Sequence, residues 1–282
     1  MKQPDFSREI DIARASALEA AALVVRLKAR PLDVQHKTGG EPVSNADLES
    51  SALIVKRLHE AFPGDAILSE ELPDDGTRLH NPRVWMIDPI DGTRDFLRGE
   101  SGYVVMIGLC YEGRPLVGAV AQPDTGAIWL GAAGVGAWKE ASDGTRARLA
   151  VSTVDAANQI RLVSSKSHRS DYYRRFCGLL GITDEISLGS VGLKVSTIAE
   201  AARDLYVYPG SQTKIWDSCA PEAILFAAGG RITDSDGIPL SYLKAGLENP
   251  RGVVASNGRV HDQALAAIAQ LRAEIAAQKA RG

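Results

Sequence analysis

Val84-Trp85-Met86-Ile87-Asp88-Pro89-Ile90-Asp91-Gly92-Thr93-Arg94-Asp95-Phe96-Leu97-Arg98-Gly99 is the stretch on which the rest of the chain turns. Its first four residues are apolar, with β-branched and aromatic side chains, and read as a short buried strand. Pro89 has no N–H for a ladder and is expected to end that strand. Asp88 and Asp91 then fall three residues apart on a tight loop at the strand's carboxyl end. Gly92 and Thr93 follow, offering backbone N–H groups and a hydroxyl to an anion. Hard oxygen ligands beside such a nest suit a magnesium-phosphate site. An Asp-Gly turn chosen for its backbone angles would use the same residues, so the rest of the chain must decide.

With 282 residues, 45% hydrophobic and 24% charged, the chain has an ordinary globular composition. A net charge of -3 gives no bulk electrostatic case for nucleic-acid or membrane binding. Cys110, Cys177 and Cys219 are odd in number and widely spaced. They read as reduced core residues of a cytoplasmic protein, not a disulfide frame or zinc site. The first residues carry acids without an apolar run of signal length. No stretch approaches the ~20 apolar residues of a membrane span.

Ser7 to Arg30 reads as a helix, with Ile10, Ala13, Ala17, Ala20, Val24 and Leu27 on one stripe and Pro31 beyond its end. After a polar, Gly-containing segment, a second helix is expected near Ser44, with Asp47 completing a capping box. Ala66 to Ser69 is a short strand leading into Glu70-Glu71. From Tyr103 onward, apolar runs separated by Glu112-Gly113, Asp124-Thr125-Gly126 and Asp143-Gly144 predict an antiparallel meander. The chain turns polar around Val151 to Asn158, and a second lobe is expected there, dividing residues 1–150 from 151–282. Strands are expected at 160–165, 204–209, 231–235 and 252–256. Helices are expected at Tyr172 to Leu180, Val191 to Ala201, Trp216 to Ala228 and Val260 to Ala280. Alternating helices and strands with hairpins between them define a layered α/β class with a mixed sheet.

Four acids stand apart from the solvated remainder. Glu70, Asp88 and Asp91 follow strands, and Asp217 opens a helix in Gln212-Thr213-Lys214-Ile215-Trp216-Asp217. Each adjoins apolar residues, where an unpaired carboxylate is costly. A helix cap accounts for Asp217 equally well. Divalent cations would remove the cost of gathering all four, and two such ions can clamp both oxygens of a phosphoryl transfer.

Ser69-Glu70-Glu71, Trp85 to Phe96, Trp216 to Leu225 and, more weakly, Pro42 to Asp47 together resemble the motifs of the inositol-monophosphatase superfamily. The order and spacing fit over nearly the whole chain. The resemblance implies an αβαβα sandwich of the inositol-monophosphatase and sugar-phosphatase type with mixed sheets. It also implies a magnesium-dependent, lithium-sensitive phosphatase. Glu70, Asp88, Asp91, Asp217 and the Ile90 carbonyl would be metal ligands. Thr93 and Asp47 would orient and deprotonate the attacking water, and Asp91, Gly92 and Thr93 would offer backbone donors to phosphate. Two or three Mg2+ are implied, with Mn2+ a substitute and Li+ and Ca2+ inhibitory. Glu71 stays outside this ligand set.

Within that superfamily the chain is similar to the 3′(2′),5′-bisphosphate nucleotidases, which act in sulfur assimilation. Ser164-Ser165-Lys166-Ser167-His168, Gly189 to Lys194, the Pro221-Glu222 pair and Arg94 after Thr93 carry this likeness. It implies removal of the 3′-phosphate of adenosine 3′,5′-bisphosphate (PAP), with Ser165, His168, Ser190, Lys194 and Asp217 also facing substrate. Lys194 would neutralise the second phosphate, and His168 would meet ribose or adenine. His168 reads equally as a surface loop residue and Lys194 as a solvated helix position. Ser44 departs from the family's usual Thr, and the short passage between Glu71 and Asp88 matches bacterial rather than eukaryotic forms. An inositol or other sugar monophosphatase is the alternative, since fold does not fix substrate. A metal-binding protein without activity would be expected to have lost one of these acids or the threonine, and all are present. The expected partner is a small phosphomonoester, with no nucleic acid and no membrane span; a homodimer is compatible with the resemblance.

Overall fold

The structure is a computed structural model and describes residues 6–37, 40–166 and 171–279. Helix α1 (Ser7–Lys28) is followed by a small hairpin of β1 (Val34–His36) and β2 (Pro42–Ser44). That hairpin lies in the segment read above as merely polar. Helix α2 (Asn45–Ala61) begins at the expected cap: Ser44 accepts from the Ala46 N–H, and Asp47 reaches back to the Ser44 backbone.

Strands β3 (Ala66–Ser69) and β4 (Arg83–Asp91), the short helix α3 (Thr93–Leu97), and strands β5 (Val104–Tyr111), β6 (Arg114–Gln122), β7 (Ala127–Ala132), β8 (Gly136–Glu140) and β9 (Arg146–Arg148) come next. The seven strands form one sheet in sequence order, with only β3 and β4 parallel. Pro89 does not end β4, contrary to expectation. Asp88 pairs with Met106 and Asp91 with Val104, so Pro89 and Ile90 together face Val105 across an irregularity. A bulge accommodates a residue without an N–H and re-aims the side chains beside it.

The remaining elements are β10 (Arg161–Ser165), α4 (Asp171–Leu180), β11 (Asp184–Leu188), α5 (Val191–Ala199), β12 (Leu205–Tyr208), α6 (Ile215–Ala227), β13 (Arg231–Thr233), β14 (Val253–Ser256) and α7 (His261–Lys279). The second sheet has the order β11-β10-β12-β14-β13 and is mixed. Strand β11 was not anticipated; as an edge strand it is exposed at its start and half-buried beyond, so its sequence lacks a continuous apolar run.

Strand alternation sorts the side chains into layers. On β5, Val105, Ile107 and Leu109 pack with α1 and α2, while Val104 and Met106 face α5 and α6. On β12, Tyr206 and Tyr208 face α5 and α6, while Leu205 and Val207 face α4 and α7. The result is the five-layer αβαβα sandwich, with α5 and α6 shared between the two sheets.

Three glycines set how closely α6 sits. Gly108, Gly118 and Gly131 are cross-strand neighbours on β5, β6 and β7. A Cβ at Gly108 would stand 2.7 Å from the Ala220 nitrogen, and one at Gly131 2.6 Å from Ile224 Cα. At Gly118 it would strike the Ala220 carbonyl oxygen. The stripe is a groove without side chains, and α6 rests in it backbone to backbone.

Candidate active site

Glu70, Asp88, Ile90, Asp91, Gly92, Thr93 and Asp217 line one open cavity of about 320 Å3. They come from the end of β3, the bulged end of β4 with the turn into α3, and the first turn of α6. Asp88 is buried and accepts the Ile90 N–H at 3.0 Å, a local turn that the Asp-Pro-Ile sequence permits. Asp91 accepts from Ser190 Oγ at 2.6 Å and from the Gly192 N–H at 2.8 Å. Asp217 accepts the Lys214 N–H at 2.8 Å, so it serves as a cap while lining the cavity.

The electrostatics record crowding. Burial pushes Asp88 well above the ordinary carboxylate range, and the charges of Glu70, Asp91 and Asp217 push it further. Asp217 is raised by burial and then by Asp91 and Glu70. Asp91 is raised by burial and partly restored by its bonds from Ser190 and Gly192. Burial is likewise the main reason Glu71 rises to about 7. Lys37 Nζ lies 2.8 Å from both Glu70 and Glu71 and gives those two a counter-charge.

Among the described residues, no three Asp, Glu, His or Cys side chains are drawn into a ready-made cation cage. The acids share a cavity, not a closed coordination sphere. Their chemistry nevertheless suits hard divalent ions: all the donors are oxygens, and the buried carboxylates raise one another.

Beside these acids, Thr93 Oγ1 lies 3.0 Å from the Ile90 carbonyl and 3.4 Å from Asp47 Oδ1. The other oxygen of Asp47 accepts the Ser44 N–H at 2.8 Å and Ser44 Oγ at 2.7 Å. Ser50 donates to the Pro89 carbonyl, and Ser51 bonds Ser69, so α2 is pinned to both strands that carry the acids. Burial raises Asp47 above its usual range, against the bonds from Ser44. Gly92 adopts φ +98°, and a Cβ there would press on Gly102 and Tyr103 at 3.3 Å. Glycine readily adopts this left-handed turn between Asp91 and Thr93.

Ser165, Ser190 and Lys194 do not line the cavity. Lys194 is 1% exposed and donates to Ser165 Oγ, the Leu188 carbonyl and the Gly189 carbonyl. Its three N–H groups are thereby engaged, and as placed it has none to offer a substrate phosphate. Ser190 caps α5 through the Leu193 N–H and holds Asp91. The Gly-Ser-Val-Gly-Leu-Lys segment thus braces Asp91 and its own loop. His168 lies outside the described residues.

Arg94, Arg98, Lys166 and Lys214 all line the cavity; the sequence singled out Arg94 and the Lys166 segment for their likeness to the nucleotidases but assigned none of the four to a cationic wall. Sequence reasoning also overlooked Asn249, whose side-chain amide donates to the Lys214 carbonyl at 3.1 Å and whose backbone N–H bonds the Thr213 carbonyl at 2.8 Å. These bonds hold the turn that begins α6 and hence Asp217. The only available signal for them was Arg94 and Arg98 spaced by one helical turn.

A five-layer sandwich with an acid-lined cavity at its strand ends, where Thr93 meets the buried Asp47, defines a phosphatase scaffold. The model of the inositol monophosphatase family matches residues 6–274. The chain is 35% identical over 215 residues to the 3′(2′),5′-bisphosphate nucleotidase CysQ of Escherichia coli O157:H7, covering 76% of this chain and 85% of that protein. It is 32% identical over 246 residues to histidinol-phosphatase of Mycobacterium tuberculosis, covering 86% and 90%. The solved inositol monophosphatase from Anabaena superposes with a TM-score of 0.75 at 28% identity, covering 95% of this chain and 97% of that one. The chain belongs to the inositol monophosphatase family, whose members are phosphatases that use Mg2+. No helix among the described residues is long and apolar enough to cross a membrane.

Proposed function

We propose that the protein hydrolyses the 3′-phosphate of adenosine 3′,5′-bisphosphate to give AMP and phosphate, by direct attack of water. The observation that carries this reading is the convergence of Glu70, Asp88, Asp91 and Asp217 on one cavity beside Thr93 and Asp47. The likeness to the E. coli nucleotidase supports the choice of substrate.

Glu70, Asp88, Asp91, Asp217 and the Ile90 carbonyl would hold Mg2+, which when bound neutralises phosphate charge and makes water more acidic. The residues of the chain supply the remainder. Asp47, held by Ser44, accepts a hydrogen bond from the Thr93 hydroxyl and fixes where that oxygen points. Thr93 then orients the attacking water, and Asp47 takes up its proton through the hydroxyl. Gly92 and Thr93 present backbone N–H groups to the phosphate oxygens. Water becomes bonded to phosphorus as the ribose 3′-oxygen departs and takes a proton from solvent to become the 3′-hydroxyl of AMP, so configuration at phosphorus inverts. Mn2+ is expected to replace Mg2+, while Li+ and Ca2+ are expected to inhibit.

The same scaffold supports a second reading, an inositol or related small-phosphate monophosphatase, favoured by the Anabaena structure and the histidinol-phosphatase likeness. Turnover of adenosine 3′,5′-bisphosphate, inositol 1-phosphate and histidinol phosphate with Mg2+ separates the two. A kcat/KM at least tenfold higher for the bisphosphate is expected. Equal rates, or preference for either of the others, would overturn the nucleotidase assignment.

A further inference from the structure

The cavity has two electrostatic ends. One is lined by Glu70, Asp88, Asp91 and Asp217, the other by Arg94, Arg98, Lys166 and Lys214. Two of these cations are already neutralised. Lys166 lies 2.8 Å from both Asp95 and Glu100, and Lys214 lies 2.9 Å from Glu248. Arg94 and Arg98 differ. Among the described residues neither has an ion pair or a side-chain hydrogen bond, and both are exposed. Arg98 acts on Glu100 through its charge alone. Glu41 also lines the cavity.

The two guanidinium groups stand four residues apart, Arg94 within α3 and Arg98 capping its end, so they share one face of that turn. That face looks into the cavity, since both residues line it. Their backbone is fixed. Asp95, between them, is buried and held by Lys166, and Gly189 packs so tightly against its carboxylate that any Cβ would overlap it. An unpaired arginine pair on a fixed turn, facing the acids of the same cavity, has the donors to grip an anion bidentately.

We infer that Arg94 and Arg98 bind a second anionic group of the substrate, so that the enzyme selects phosphomonoesters carrying another phosphate. This rests on the phosphatase reading and, for adenosine 3′,5′-bisphosphate, assigns the 5′-phosphate to these two arginines instead of Lys194. A substrate bearing a cation in place of that group meets two like charges.

The test compares two substrates that differ only in the second phosphate, adenosine 3′,5′-bisphosphate and adenosine 3′-monophosphate. In R94Q/R98Q, kcat/KM for the bisphosphate should fall roughly 10- to 100-fold, mostly through KM, as expected for loss of charge-assisted hydrogen bonds. The monophosphate should be turned over within about twofold of the parent, which also shows that the variant folds. R94K/R98K keeps the charge but not the planar fork, and should restore the bisphosphate only in part. Equal losses on both substrates, or full restoration by lysine, would overturn direct contact. If neither adenosine compound is hydrolysed by the parent, the nucleotidase reading fails. The same comparison then runs on inositol 1,4-bisphosphate against inositol 1-phosphate, where the absence of a selective loss overturns the arginine assignment separately.

Discussion

Thr93 Oγ1 stands closer to the Ile90 carbonyl, at 3.0 Å, than to Asp47 Oδ1, at 3.4 Å. The single hydroxyl proton is therefore contested by a backbone acceptor and a buried carboxylate whose other oxygen is fully occupied by Ser44. If this pair activates water, D47N should lower kcat by about 10^2- to 10^4-fold. T93V should do the same, and T93S should recover much of the rate. Melting temperatures of all three should stay near the parent's, because Ser44 still finds an amide oxygen in D47N. Thermal melts and steady-state kinetics check both halves; retained activity in D47N removes Asp47 from the mechanism.

Lys194 leads to the opposite pattern from the arginines. Burial brings its pKa down to about 8, against the upward pull of Asp91 and Asp217, and its ring neighbour Tyr206 lies 5.0 Å away. K194M leaves a hydroxyl and two carbonyls without their donor, a loss on the order of 1–3 kcal/mol for a buried group. The melting temperature should drop, while the preference for a bisphosphate over a monophosphate should not change. A selective rise in KM for the bisphosphate would instead make Lys194 a substrate contact.

The glycine groove under α6 yields a prediction about metal affinity. G118A places a methyl group on the Ala220 carbonyl, so the helix must lift or the strands must part. Overpacking of this kind costs about 1–3 kcal/mol or more. Asp217 moves with the helix, so Mg2+ should bind more weakly in a calorimetric titration of the folded protein. G64A, where an added methyl meets nothing within 4 Å, should change neither quantity appreciably.

His261 should shape stability in acid. It is buried, with Nε2 2.9 Å from Thr233 Oγ1 and Nδ1 2.9 Å from Ser256 Oγ. Thr233 spends its proton on the Asp234 carbonyl and Ser256 accepts from the Gly258 N–H. The network therefore assigns a neutral ring that donates from Nε2 and accepts at Nδ1. Burial, helped by the Arg231 charge and opposed by Asp262, lowers its pKa from 6.5 to about 4. Above pH 6.5 the ring is neutral in both states and adds no slope. Between 6.5 and 4 the unfolded chain binds a proton that the folded chain excludes, so stability falls as pH falls, by up to roughly 3 kcal/mol. Denaturant melts of the parent and H261Q across that window should show a shallower pH dependence in the variant. Parallel curves would refute the assignment.

Much of this architecture was legible in the residues. The apolar stripe of α1, the Ser44–Asp47 cap and the turn-punctuated strands from Val104 to Glu140 each carry a local pattern that tertiary contacts reinforce. The acids were legible because a carboxylate beside buried strands demands a reason. What escaped was non-local. Pro89 reads as a strand stop, yet a bulge absorbs it through pairing with β5. Lys194 reads as a contact to a second phosphate or as a solvated cation, and its burial depends on acceptors supplied by Ser165, Leu188 and Gly189. The glycines of β5, β6 and β7 acquire meaning only once α6, about a hundred residues downstream, lies across them.

Asp91 leaves one sheet and is gripped by Ser190 and Gly192, which open a helix packed against the other. On the proposed reading of the site, turnover depends on this joint between the two sheets, and neither sheet supplies the site alone. A chain that loosened along that joint while keeping most of its helices would already be silent as an enzyme, so loss of turnover should be the earliest sign of damage, ahead of any change in helical content.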